Sequence, residues 1–167
     1  MKTLILMRHA EAVNDYREVD DFHRPLTNYG IKQANQCAAE FAKTGVKPEL
    51  ILVSNAVRTT QTATILTAAI PHINTQFNTQ FLPNLYLCKA TELLQIISET
   101  DNNISCLMVI AHNPSLHELS YDLTNDELLN HGFPTATIAI FAWNSDDWQN
   151  YALHDNNILH FIEAKPV

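Results

Sequence analysis

The sequence predicts an α/β domain in three layers, with helices on both faces of a mainly parallel central sheet. Three observations predict it. Short apolar runs at 4–7, 50–53 and 106–111 are bounded by polar residues, as in strands buried on both faces. Each is followed by a segment carrying apolar residues at helical spacing. No linker or low-complexity stretch divides the 167 residues, so 1–167 reads as one domain, long enough to bury about two thirds of its unfolded surface.

The first strand covers 2–7 and runs directly into Arg8-His9-Ala10-Glu11. A polar, acidic segment without a clear period follows from 10 to 24, and a loop this long inside a compact domain is usually functional. Thr27 is placed to cap a helix whose buried face would carry Ile31, Ala34, Ala38, Phe41 and Ala42, and Gly45 fits its end. The run at 50–53 is the second strand. The next helix shows Thr62, Ile65, Leu66 and Ala69 on one face, with Pro71 as its stop.

Residues 74–81 contain a doubled Asn-Thr-Gln-Phe, read as strand and loop rather than as a repeat architecture. Leu93, Leu94, Ile96 and Ile97 mark a buried helix. The strand at 106–111 is followed by Pro114 at the head of a helix bearing Leu116, Leu119 and Leu123. Residues 136–143 read as a strand, 148–153 as its antiparallel partner across the turn Asn144-Ser145-Asp146-Asp147, and 158–162 as a last short piece.

Composition narrows the function. A net charge of −8 argues against a nucleic-acid footprint, which needs a basic face, and against an anionic membrane surface. Cys37, Cys88 and Cys106 are odd in number and match no metal-ligand spacing; they read as reduced, packed thiols of a cytoplasmic protein. The amino-terminal apolar run is too short for a signal-peptide core, and no stretch approaches the roughly 20 apolar residues of a membrane span.

Four segments gather chemistry at or beyond the carboxyl ends of predicted strands, where ligands bind in open α/β sheets. They are Arg8-His9, Arg24-Pro25-Leu26-Thr27, Ser54-Asn55-Ala56-Val57-Arg58 with Thr59 to Thr62, and His112-Asn113-Pro114. Arginines offer planar, bidentate donors to phosphate oxygens. A neutral histidine can attack phosphorus to form a covalent intermediate, and a second histidine can donate to an equatorial oxygen. Arg24 has a plainer alternative, anchoring the acidic loop through Asp20 or Asp21. His112 and His117 are five apart, not the four that would align two zinc ligands on a helix. Glu11, Glu18, Asp15, Asp20 and Asp21 read as a solvated loop, and His23, His72, His131, His154 and His160 as ordinary.

These segments, with Ala111 before His112, resemble the histidine phosphatase superfamily, and the small size with Arg-Pro-Leu-Thr resembles its SixA-type phosphohistidine phosphatase branch. The segment Phe133-Pro134-Thr135-Ala136-Thr137 extends the likeness. The resemblance implies a phosphoglycerate mutase-like fold without a large lid insertion. It also implies His9 as the nucleophile, Arg8, Arg58 and His112 as groups holding the phosphoryl oxygens, Arg24 as a further phosphate clamp, and no metal or other cofactor. Ala10 departs from the glycine of many members.

Three functions follow. One is hydrolysis of phosphohistidine on a partner protein through a phosphorylated His9. A second is a phosphomonoesterase or mutase acting on a small phosphorylated metabolite. The third is a catalytically silent phosphate-binding domain, which the full set of chemical groups disfavours. An alkoxide leaving group needs a placed acid, whereas imidazole, with a pKa of about 6.5, leaves easily. The interval 71–103 is short; of its carboxylates Glu92, Glu99 and Asp101, Glu92 serves to open a helix. That favours the first.

Overall fold

A computed structural model describes residues 1–14, 19–70, 79–124, 126–150 and 157–165. The strands are β1 (Lys2–Arg8), β2 (Leu50–Ser54), β3 (Thr79–Leu82), β4 (Cys106–Ala111), β5 (Ile138–Trp143) and β6 (Asn157–Ile162). The helices are α1 (Asn28–Lys43), α2 (Val57–Ala69), α3 (Ala90–Ser98) and α4 (Ser115–Thr124). The strands form one sheet in the order β3-β2-β4-β1-β5-β6. The pairs β3/β2, β2/β4 and β4/β1 are parallel, and β5 runs antiparallel to both β1 and β6.

Alternation of side chains along the strands feeds two cores. Ile5, Met7, Ile51, Val53, Met108 and Ile110 point to the face covered by α1 and α2. Leu4, Leu6, Leu52, Leu107 and Val109 point to the face where α3 and α4 pack. The apolar runs are continuous in the sequence because both faces of these strands are buried.

The face of α1 is rotated from its sequence expectation. Thr27 caps it, its hydroxyl accepting from the Gly30 amide at 2.9 Å. The buried face is Gly30, Gln33, Ala34, Cys37, Ala38 and Phe41, while Ile31 is 42% exposed and Ala42 also faces out. Gly30 explains the rotation: a Cβ there would lie 2.0 Å from the Glu11 carbonyl oxygen, so a bare backbone is needed for the close approach. Gly45, at φ +73°, ends the helix in the left-handed region.

The carboxyl-terminal hairpin differs as well. Besides β1, β5 pairs with β6; of the span 148–153 expected in that place, 148–150 forms no strand, and 151–153 lies outside the described residues. Trp148 is instead fully buried, its indole N–H donating to the Ile104 carbonyl at 2.9 Å and its ring edge-on to Trp143. Pro71 and residues 74–78 also lie outside the described residues, and Thr79 to Leu82 is the strand β3. No helix among the described residues is long and apolar enough to cross a membrane.

Candidate active site

Strand β1 ends at Arg8, and the backbone beyond it is held on two sides. The His9 amide donates to the Ala111 carbonyl at 3.2 Å, and the His9 carbonyl accepts from Ala136 at 3.1 Å. Ala136 is buried at φ +63°, a conformation rare without glycine, so its surroundings must hold it there. The φ of Ala10 is not positive, so alanine sits there without the strain its departure from glycine could have implied.

The His9 ring is 8% exposed. Its Nδ1 lies 2.7 Å from the carbonyl oxygen of Ala10. A carbonyl can only accept, so the proton is on Nδ1 and Nε2 carries a lone pair. Arg58 Nε–H donates toward Nε2 at 3.3 Å. Burial, reinforced by the charges of Arg58, Arg8 and Arg24, lowers the His9 pKa to about 3 against the opposing pull of the Ala10 carbonyl. The imidazole is neutral at physiological pH.

His112 follows β4, its ring centroid 5.1 Å from that of His9. Burial first, then His9 and Arg58, bring its pKa to about 3. Its Nε2 is 2.7 Å from the Ser54 hydroxyl oxygen at the end of β2. If the hydroxyl donates to Nε2, the ring proton is on Nδ1, a buried atom without a protein partner. Arg8 donates from Nη1 to the Phe133 carbonyl at 2.9 Å, and its buried Nε likewise has no protein partner.

The long loop returns to the site. An Ala12–Leu26 bridge and the Val13 amide bonded to the Pro25 carbonyl close its base. The short 3-10 turn Asp21–His23 then sets Asp21 among cations. Its carboxylate accepts from Arg24 Nε and Nη2 at 3.1 and 2.7 Å, from Arg58 Nη2 at 3.0 Å and from the Tyr86 hydroxyl at 2.5 Å. Its backbone carbonyl accepts from Arg58 Nη1 at 2.6 Å. Burial pushes the carboxyl up, but Tyr86, Arg24 and Arg58 outweigh it and hold the pKa at about 2.

The solvated-loop expectation therefore fails for Asp21. It is a wall of the cavity, and nothing periodic in an acidic loop distinguishes it from Asp20, which pairs with exposed His23. Tyr86, also unpredicted, packs edge-on against His112 and beneath the Arg58 guanidinium. Its only sequence signal is its place just after β3, on the carboxyl side of the sheet. Arg24 anchors Asp21, its plainer alternative, and also lines the cavity. Glu11 lines it too, accepting from the Thr27 hydroxyl at 2.8 Å. Asp15, Glu18, His72 and His154 lie outside the described residues. His117 bonds to the Leu129 carbonyl, away from any metal arrangement.

Arg8, His9, Arg24, Arg58 and His112 thus share one open cavity of 620 Å³ at the carboxyl ends of β1, β2 and β4. A neutral ring nitrogen inside a ring of cations is arranged to receive an anion and attack it. Among the described residues no cluster of three or more His, Cys, Asp or Glu side chains is arranged to hold a metal ion.

Residues 4–81 match the family described as the histidine phosphatase superfamily (branch 1). An uncharacterized chloroplastic protein of Arabidopsis thaliana is 32% identical over 155 residues, which is 89% of this chain and 69% of the relative. A structure assigned as the phosphohistidine phosphatase SixA of Agrobacterium tumefaciens superposes with a TM-score of 0.81 at 24% identity, covering 96% of this chain and 97% of that one. The protein histidine phosphatase SixA complexed with tungstate gives 0.73 at 23%, covering 97% of each chain. A mycobacterial glucosyl-3-phosphoglycerate phosphatase gives 0.66 at 16%, covering 99% of this chain and all of its own. These structures share the fold, which is the phosphoglycerate mutase-like one, and the chain belongs to the histidine phosphatase superfamily.

Proposed function

We propose that this phosphatase hydrolyses phosphohistidine on a partner protein, with His9 as the nucleophile. The observation that carries the reading is the neutral Nε2 of His9 beside Arg58, its tautomer held by Ala10. The lone pair attacks phosphorus, and the bond to the leaving nitrogen breaks with its electron pair going to that nitrogen. The phosphoryl group then sits on Nε2, and Nδ1 keeps its proton against the Ala10 carbonyl. Water opens this intermediate, releasing phosphate and returning His9 to its starting form. Arg8, Arg58 and His112, with Arg24 at the rim, stabilise the charge on the equatorial oxygens, the main catalytic demand of phosphoryl transfer.

The leaving group supports phosphohistidine over an ester. Among the described residues the cavity's carboxylates are Asp21, ion-paired with Arg24 and Arg58, and Glu11, whose Oε1 accepts from the Thr27 hydroxyl. Asp21, held ionised by its cations, has no proton to give an alkoxide, and imidazole needs no such help. The described part of the interval between α2 and β4 carries no lid, which leaves room for a protein-borne substrate. The fold is shared with a glucosyl-3-phosphoglycerate phosphatase, which supports a small phosphate ester as the second reading. A cytoplasmic site of action fits the three unpaired cysteines.

A substrate panel decides between the readings. Phosphohistidine peptides are expected to turn over faster than phosphoserine peptides and small esters; a preference for the esters would replace the first reading with the second. Since arginines supply the positive charge, chelators are expected to leave the rate unchanged and vanadate or tungstate to compete with substrate.

A further inference from the structure

We infer that Asp21 recognises the leaving group: its carboxylate accepts a hydrogen bond from the distal ring N–H of the substrate's phosphohistidine. The inference rests on the phosphohistidine reading and deepens it.

A transfer from one imidazole to another is chemically symmetric. His9 attacks with its distal nitrogen protonated, so the phosphorylated ring is an N-phosphorylimidazolium whose N–H is held by the Ala10 carbonyl at 2.7 Å. By the same chemistry run backwards, the substrate ring leaves well only with its own distal nitrogen protonated. It then departs as neutral imidazole, the P–N electron pair staying on the leaving nitrogen and no proton moving. Without that proton it would depart as an imidazolate, a far poorer leaving group. The entering side of the reaction has a built acceptor for its N–H; the leaving side requires one as well.

Asp21 is placed for this. Arg58 links it to the nucleophile, with Nε directed at His9 Nε2 at 3.3 Å and Nη2 at Asp21 Oδ2 at 3.0 Å. A phosphoryl group on His9 therefore has this carboxylate one guanidinium away. The side chain is 33% exposed and lines the cavity. The two oxygens divide the work. Oδ1 holds Arg24, and Oδ2 holds Tyr86 and Arg58. When a phosphoryl oxygen takes Arg58 Nη2, Oδ2 stays fixed by Tyr86 with a lone pair free for the ring N–H. Glu11 is turned to Thr27 instead. A serine or sugar ester presents no such cationic N–H, so the contact also discriminates.

The test measures single-turnover phosphoryl transfer at saturating enzyme, from a phosphohistidine peptide and from an aryl phosphate ester, across about pH 5 to pH 9. Rates within the complex report the bound ring, whose carboxylate neighbour keeps it protonated to higher pH. In Asp21→Asn, transfer from phosphohistidine is expected to fall about ten- to hundred-fold more than transfer from the ester. Its alkaline limb should move down by about one pH unit. Asp21→Glu is expected to recover part of both effects, and tungstate to bind Asp21→Asn at least as tightly as wild type. Equal losses on both substrates with an unmoved limb, or tungstate binding weakened in step with them, would show that Asp21 only braces the arginines, and would overturn the inference alone. A wild-type protein that takes no phosphoryl group from phosphohistidine overturns the functional reading, and this inference with it.

Discussion

The carbonyl oxygen of Ala10 lies 2.7 Å from Nδ1 of His9, so the residue after the histidine decides which nitrogen of its ring carries the lone pair. On the proposed mechanism the attacking atom is Nε2, and the label trapped in an acid-labile phosphoenzyme is expected on that nitrogen. His9→Ala should lower turnover by at least roughly 10³-fold. It should leave tungstate binding largely intact, because the arginines remain. Isothermal titration and single-turnover assays check both; wild-type turnover in this variant would move the nucleophile to His112.

Arg58→Lys should damage binding and chemistry together. Arg58 is 2% exposed and divides its donors between His9, the Asp21 carbonyl and the Asp21 carboxylate. A lysine supplies one point charge in place of that fork. A loss of about 10²-fold or more in kcat/KM is expected, with weaker tungstate binding. Retained affinity with a lowered kcat would confine its role to the transition state.

The pH dependence of stability follows from the buried histidines. The folded-state pKa values of His9 and His112 lie at about 3, below the ordinary 6.5. Between those values the unfolded chain binds more protons, so stability falls as pH drops through that window. Asp21, held at about 2, adds a loss in the same direction below its ordinary 3.8. Urea midpoints should therefore be lower at about pH 4.5 than at about pH 7, with a shallower slope in His9→Gln. A midpoint that rises on acidification would contradict the buried, neutral imidazoles. The activity should likewise show no acid limb from His9 near its ordinary pKa.

Much of this site was legible because strand ends are legible. Arg8-His9, Arg58 and His112 each follow an apolar run, and topology alone carries such positions to one edge of a parallel sheet. Asp21 was not legible, since its role comes from a loop that folds back through the Ala12–Leu26 bridge, a tertiary fact without periodicity. Tyr86 was hidden for the same reason. Ile31 was misplaced because its apolarity pointed inward while the close approach of Gly30 to Glu11 set the helix face. Trp148 satisfied a strand's composition, yet its bulk and its N–H were better used in the core.

Gly30→Ala tests how tightly the loop after His9 is fitted. The added methyl would meet backbone, the Glu11 carbonyl at 2.0 Å, and cannot be relieved by rotating a side chain. A stability loss of about 1–3 kcal/mol is expected, together with a lower kcat as the His9–Glu11 backbone shifts. Thermal melts and steady-state kinetics measure the two. An unperturbed kcat in a destabilised protein would uncouple the loop from the chemistry.

The reversed direction of β5 has a consequence for where this scaffold can change. A parallel strand brings its end to the crevice, but β5 brings its beginning, through Thr137 and Ala136 bonded to Arg8 and His9. Its far end, with the turn 144–147 and Trp148, therefore sits a full strand length away on the opposite rim, about 20 Å distant for six residues. That rim also carries the amino terminus, paired with Asp146. The candidate site and Met1 thus lie at opposite poles of one sheet, and a reporter grafted at the second is expected to leave the first untouched.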